Sequence, residues 1–110
     1  MVRFEAIRTI AFGSVSGAYA KIGIPLVNPD RILKIVNTCN TNMLISFDGT
    51  VDHDIVPAGG FVLYDFAAND VRNNNVDFFM STGTQIWVKQ VTAPASGNVY
   101  VVSVYNKVQT

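Results

Sequence analysis

The side chains with the most chemical potential crowd one short stretch: Asp48, Asp52, His53 and Asp54. Several carboxylates around one turn offer the hard oxygen ligands that calcium takes. The spacing departs from an EF-hand loop, because Gly49 comes too early and no suitably placed Glu closes it. The simpler reading is an Asp48-Gly49 turn with its polar side chains in water.

His53 is the only histidine. As a general base it needs a serine held beside it by positioned backbone. Ser14, Ser16, Ser46, Ser81, Ser96 and Ser103 are present, and none stands in a Gly-x-Ser-x-Gly elbow. Pairing Glu5 with Asp52 or Asp54 as acid and base has no support in the spacing. Cys39 is also single. It has no internal disulfide partner, gives no zinc set with His53, and lies in a polar turn with no local base to activate it. Gly13 and Gly17 lack the strand-to-helix context and the Lys of a phosphate loop. The expectation is a non-enzymatic chain with no catalytic residue, metal or cofactor.

A surface-built function is the remaining class. The 110 residues suit one domain, 1–110, with one core. Hydrophobic residues make up 49% and charged residues 15%, against roughly 25% charge in an ordinary domain. The exterior must then be built from Asn, Thr, Ser and Gly, or be partly covered by a partner. Eight basic and eight acidic side chains balance, and Lys21, Arg31 and Lys34 are scattered. No field favours nucleic acid, and Tyr64 and Trp87 lack the basic groove of a single-strand binder. No run approaches the ~20 apolar residues of a membrane span. Arg3, Glu5 and Arg8 interrupt any signal-like apolar stretch, so synthesis in a reducing cytoplasm is expected.

Short apolar runs between turn signals must position whatever surface does the work. Residues 31–36 read as a central strand with Leu33 and Ile35 on one face. Residues 43–47, 54–56, 61–66 and 76–80 read as further strands, with Asp48, Gly49, Pro57, Gly59 and Gly60 forming turns. Residues 84–91 and 98–105 read as a closing β-hairpin across Pro94-Ala95-Ser96-Gly97. The fold class expected is all-β, a small antiparallel β-sandwich, jelly-roll-like, with a small barrel as the alternative. The expected core is Leu33, Ile35, Leu44, Phe47, Val62, Tyr64, Phe78, Ile86, Val88, Tyr100, Val102 and Val104.

Near the amino terminus, Phe4, Ala6, Arg8 and Ile10 give one strand face, while Phe4 and Ile7 fit a helical turn. Residues 1–19 are a candidate extension or arm, able either to add strand hydrogen bonds to a neighbour or to fold back on their own domain. Candidate partner-binding residues are Phe4, Ile7, Ile10, Trp87 and the loop residues Asn73, Asn74 and Asn75, whose amides bond at both ends. Trp87, Tyr100 and Tyr105 could alternatively offer flat faces to a sugar.

The central segments carry a resemblance. They are Arg31-Ile32-Leu33-Lys34-Ile35-Val36-Asn37, Met43-Leu44-Ile45-Ser46-Phe47-Asp48-Gly49 and residues 52–65, with Gly83-Thr84-Gln85-Ile86-Trp87-Val88-Lys89 and Gly97-Asn98-Val99-Tyr100-Val101 later on. Together they resemble small virion proteins of tailed bacteriophages, nearest to the capsid decoration or staple proteins of epsilon15-like short-tailed phages. The resemblance implies a virion structural protein on the outer capsid surface. It would clamp neighbouring major capsid protein subunits, self-associating as a dimer or higher oligomer on the shell. A neck or tail component, or a carbohydrate-binding module, is the alternative.

Overall fold

Strands that are apolar on both faces belong in the middle of a sheet, and the two richest runs in this chain sit there. The computed structural model describes residues 2–66 and 80–106, the side chain of Asn106 excepted. Its strands are β1 (Val2–Phe4), β2 (Arg8–Ala11), β3 (Ala20–Lys21), β4 (Asp30–Asn37), β5 (Met43–Ser46), β6 (Asp54–Val56), β7 (Phe61–Asp65), β8 (Trp87–Gln90) and β9 (Asn98–Asn106). A single 3₁₀ turn, Phe12–Ser14, follows β2 among the described residues.

The strands form two antiparallel sheets, an all-β arrangement consistent with a β-sandwich. The five-stranded sheet runs β1-β9-β4-β7, with β2 also on β9; the four-stranded sheet runs β3-β8-β5-β6. The pairing is nested. β5 pairs β6, β4 pairs β7, β3 pairs β8 and β2 pairs β9. Three further pairings, β1 with β9, β4 with β9 and β5 with β8, complete the two sheets.

The core lies between the sheets. Leu33, Ile35, Val99 and Val101 come from the five-stranded sheet, and Met43, Ile45, Val56 and Val88 from the other; Ile22, Leu26 and Ile86 fill the space at the edges. Asn37 is buried at the end of β4. Its amide nitrogen donates to the carbonyls of Thr41, Val56 and Pro57, and its Oδ1 accepts from Cys39 N–H. A fully bonded amide of this kind fixes strand ends without leaving an unsatisfied group.

Several expectations are corrected. Residues 84–91 and 98–105 are not a hairpin: β8 belongs to the four-stranded sheet and β9 to the other. The chain between them passes from one sheet to the other. It is held by the loop after β4, where Thr38 and Asn98 share three hydrogen bonds, and Asn40 Oδ1 accepts from Ala95 N–H. In β5 the core face is Met43 and Ile45, with Leu44 half-buried. In β9 it is Val99, Val101 and Ser103, while Tyr100 and Val102 face the other side and are half-buried. Residues 43–45 of β5 are all apolar, and in β9 the polar Ser103 lies on the inward face, so alternation could not choose the correct face of either strand.

Leu33, Ile35, Ile86, Val88 and Val104 are buried, and Phe47, Val62 and Tyr64 pack partly against the core. Phe78 lies outside the described residues. Cys39 is not exposed: it is buried, and burial pushes its thiol above the ordinary range.

The parity correction is testable. Ile45→Ala should cost about 2–5 kcal/mol, because a fully buried side chain leaves a cavity. Leu44→Ala should cost markedly less, as its neighbour on the half-buried face. Urea denaturation of the two variants separates them, and equal losses would contradict this register.

Candidate functional site

The polar cluster at the β5–β6 turn is occupied with its own architecture. Asp48 Oδ1 accepts from Ser46 Oγ, from Thr50 N–H and Oγ1, and from Val51 N–H. The backbone donors of Val51 and Thr50 hold its carboxyl well below the usual range. His53 Nδ1 accepts from Phe47 N–H at 3.0 Å, and its ring stacks on Phe47. Asp52 is bonded to the Tyr19 hydroxyl and paired with Lys89 at 3.0 Å, and these contacts lower its carboxyl. Asp54 accepts from Ile55 N–H and from the Tyr64 hydroxyl. The carboxylates thus turn to separate partners. No group of three or more His, Cys, Asp or Glu converges among the described residues.

The turn residues sit where the punctuation placed them. Asp48 and Gly49 follow β5, and Pro57, Gly59 and Gly60 join β6 to β7, with Gly60 N–H bonded to the Pro57 carbonyl at 2.9 Å. Trp87 is half-buried, with its indole against Gly49 and the Lys21 ammonium 5.4 Å from its ring. It is therefore engaged by its own chain. Trp87 lies in one sheet and Tyr100 and Tyr105 in the other, so the three aromatics do not make one platform.

A second polar cluster carries more structure. Residues 5–7 join β1 to β2, which lie end to end along β9. Here the strand faces also invert: Phe4 points outward from the sandwich, while Arg8 is buried and Ile10 half-buried on the core side. Residues expected as an extension therefore pair with β9 of their own chain, and Val15 reaches the core. Arg8 donates to the carbonyls of Ile24 (2.7 Å) and Pro25 (3.0 Å), to Ser103 Oγ, and to Glu5 Oε1 at 2.6 Å. Glu5 also accepts from the backbone N–H groups of Val27 and Asn28 and from the Asn28 side chain. Burial pushes the Glu5 carboxyl up, but Arg8 and the Asn28 and Val27 donors outweigh it and leave the group below its ordinary value. Sequence reading missed this pair. Its one signal was the charge spacing Glu5-x-x-Arg8 inside an apolar stretch.

Above this Glu5–Arg8 clip lies an open hollow of about 490 Å³, bordered by Ile7, Gly23, Ile24, Val27 and Asn28. Ile7, Ile24 and Val27 each expose 59–62% of their surface. The polar groups beneath are satisfied, so the hollow offers unspent apolar surface over a rigid base.

The outer face of the five-stranded sheet is the other apolar surface. Register places Phe4 beside Val104 and Ile32, Val102 beside Lys34 and Leu63, and Tyr100 beside Val36 and Phe61. Phe4, Phe61 and Leu63 are exposed by 55–68%. A sandwich normally turns polar side chains outward here; this one presents a largely apolar band that Lys34 and Asp65 interrupt, with Thr9 beside Tyr100.

Of the candidate partner residues, Phe4 lies on this face, Ile7 beside the hollow, Ile10 against the core, and Trp87 in the opposite sheet. Asn73, Asn74 and Asn75 lie outside the described residues. Comparison of the chain with known protein families, curated proteins and solved structures returned no match.

Proposed function

We propose that this chain is a non-enzymatic bacteriophage virion structural protein, a jelly-roll-like sandwich that docks on the outer capsid surface and clamps neighbouring major capsid subunits. The observation that carries the docking half is the exposed apolar surface: the hollow at Ile7, Ile24 and Val27, and the outer face at Phe4, Phe61 and Leu63. Exposed contiguous apolar patches mark interaction sites. The low charge of the whole chain, 15%, fits a protein whose exterior is covered when it works.

The jelly-roll reading rests on the nested pairing. A chain doubled at β5–β6, paired outward to β2–β9, then rolled so that β4 meets β9 and β5 meets β8, is two interlocked Greek keys. Fold alone does not give function. The identity of the partner rests on the resemblance of residues 31–37, 43–49, 52–65, 83–89 and 97–101 to phage decoration proteins. Many copies on a symmetric shell, associated as dimers or higher oligomers, turn weak individual contacts into a strong total.

The test is particle reconstruction by electron microscopy with the protein present and absent, alongside a variant carrying Ile7→Asp and Ile24→Asp. Both positions are exposed, so the variant should melt within about 2 °C of the parent. Its shell affinity should fall by at least about thirtyfold, the effect of losing a binding hot spot. Density over the shell supports decoration, and density at one vertex moves the protein to the neck or tail. Unchanged binding by the double variant removes the hollow from the interface.

A further inference from the structure

Asp30 opens β4 at the point where its register with β9 shifts, opposite Tyr105. Its backbone exchanges two hydrogen bonds with Met80, at 2.8 and 2.9 Å. Its side chain is fully buried, and neither carboxylate oxygen has a hydrogen-bond partner. A buried carboxylate left unbonded is costly when ionised and far less so when it keeps its proton.

Among the described residues, the charged groups that act on it are Glu5, from the β1–β2 connection, and Arg8, from β2. Arg8 is already committed to Glu5, to Ser103 and to the Ala6, Ile24 and Pro25 carbonyls, five acceptors for its five N–H donors. It has no donor left over for a second carboxylate. With a neutral Asp30 the guanidinium answers one negative charge, and the clip is balanced. An ionised Asp30 adds a second negative charge to a buried region that holds one guanidinium.

We propose that Asp30 is a proton-operated latch: while protonated it lets the Glu5–Arg8 pair fasten the β1–β2 connection to residues 24–28, and its ionisation loosens that fastening. The inference stands on the buried, unbonded carboxyl and the saturated guanidinium, and does not depend on the docking reading. Dehydration first, then the nearby Glu5 charge, push the Asp30 carboxyl up to about 7, against a smaller opposing effect of Arg8. The unfolded chain loses this proton near 3.8. Between those values the folded state holds the extra proton, so stability falls as pH rises through the window and levels off above it.

The experiment is a pH titration of the full chain by NMR from pH 3 to 9, following the Asp30 carboxyl carbon and the amides of Val27 and Asn28, which donate to Glu5. All three signals should share a midpoint near pH 7. In Asp30→Asn the movement of the two amides at that midpoint should be lost. His53 lies in the turn before β6 and accepts from the Phe47 amide; His53→Gln should leave the Val27 and Asn28 response in place. An Asp30 carbon titrating near 4 overturns the proposal. So do amides that stay still through pH 7 or move equally in Asp30→Asn. If Asp30→Asn does not fold, the carboxyl carbon and the two amides of the parent chain still decide, since the latch requires one midpoint for all three.

Discussion

Replacing Arg8 by methionine should cost about 3–5 kcal/mol of folding stability, because it strands the Glu5 carboxylate in a site the guanidinium had neutralised. The side chains of Arg8 and Glu5 are only 4% and 7% exposed, so solvent does little to screen the loss. Four further acceptors beyond Glu5 would also lose their donor: the Ala6, Ile24 and Pro25 carbonyls and the Ser103 hydroxyl. Glu5→Gln should cost less, about 1–3 kcal/mol, since its amide oxygen still accepts while the charge assistance goes. The Glu5 contribution is present in full above about pH 4.5 and lost as pH falls below it, the sign for a carboxyl held below its ordinary value. Urea denaturation with an unchanged slope is the measurement. A loss under about 1 kcal/mol for Arg8→Met would show that the pair is not what holds β1 and β2 to residues 24–28.

Gly97→Ala should be nearly as damaging, at roughly 3–5 kcal/mol. Gly97 has φ +96°, outside the range that side-chain-bearing residues adopt readily. A Cβ there would also lie 2.3 Å from the Thr38 carbonyl oxygen and 2.6 Å from the Cys39 nitrogen. Both are backbone atoms, so nothing swings aside. The chain would have to part where the crossing from β4 to β5 runs against the crossing from β8 to β9. Gly59→Ala is the control: it too has positive φ, at +70°, but faces open space. It should cost only the conformational strain, about 1 kcal/mol. Thermal melts that rank the two alike would contradict the packing at Thr38.

Much of the strand plan was legible, because turn chemistry is local. Asp48-Gly49 and Pro57–Gly60 bound β5, β6 and β7 as their residue types require. In β4, Lys34 marks the outer side, so Leu33 and Ile35 could be assigned to the core. β5 carries no such marker among Met43, Leu44 and Ile45, and the inward face could not be read from it. β9 has Ser103 as its only polar interruption in 99–104, and it points inward, where its hydroxyl accepts from Arg8. Of the three β9 residues expected in the core, Val104 is buried, while Tyr100 and Val102 are half-buried on the other face.

The presumed hairpin failed for a different reason. Proximity in sequence favours pairing of adjacent strands, but in this chain the seven residues from Val91 to Gly97 bridge two layers about 10 Å apart. The exposed apolar surface was only half legible. Phe4 and Ile7 stood out as apolar residues among charges, whereas Ile24, Val27, Phe61 and Leu63 are ordinary in sequence and become notable only when left uncovered.

The position of β9 has a consequence for how the protein comes into being. β1 and β2 have no strand partner other than β9 among the described residues, and β4 depends on it along one whole side. During synthesis those early segments must wait, unpaired, until residues 98–106 leave the ribosome. Contacts this distant in sequence slow the search for the native state, and the waiting apolar segments are open to wrong partners. Acquisition of structure should therefore come late and all at once, and nascent chains halted before residue 98 should remain sensitive to protease.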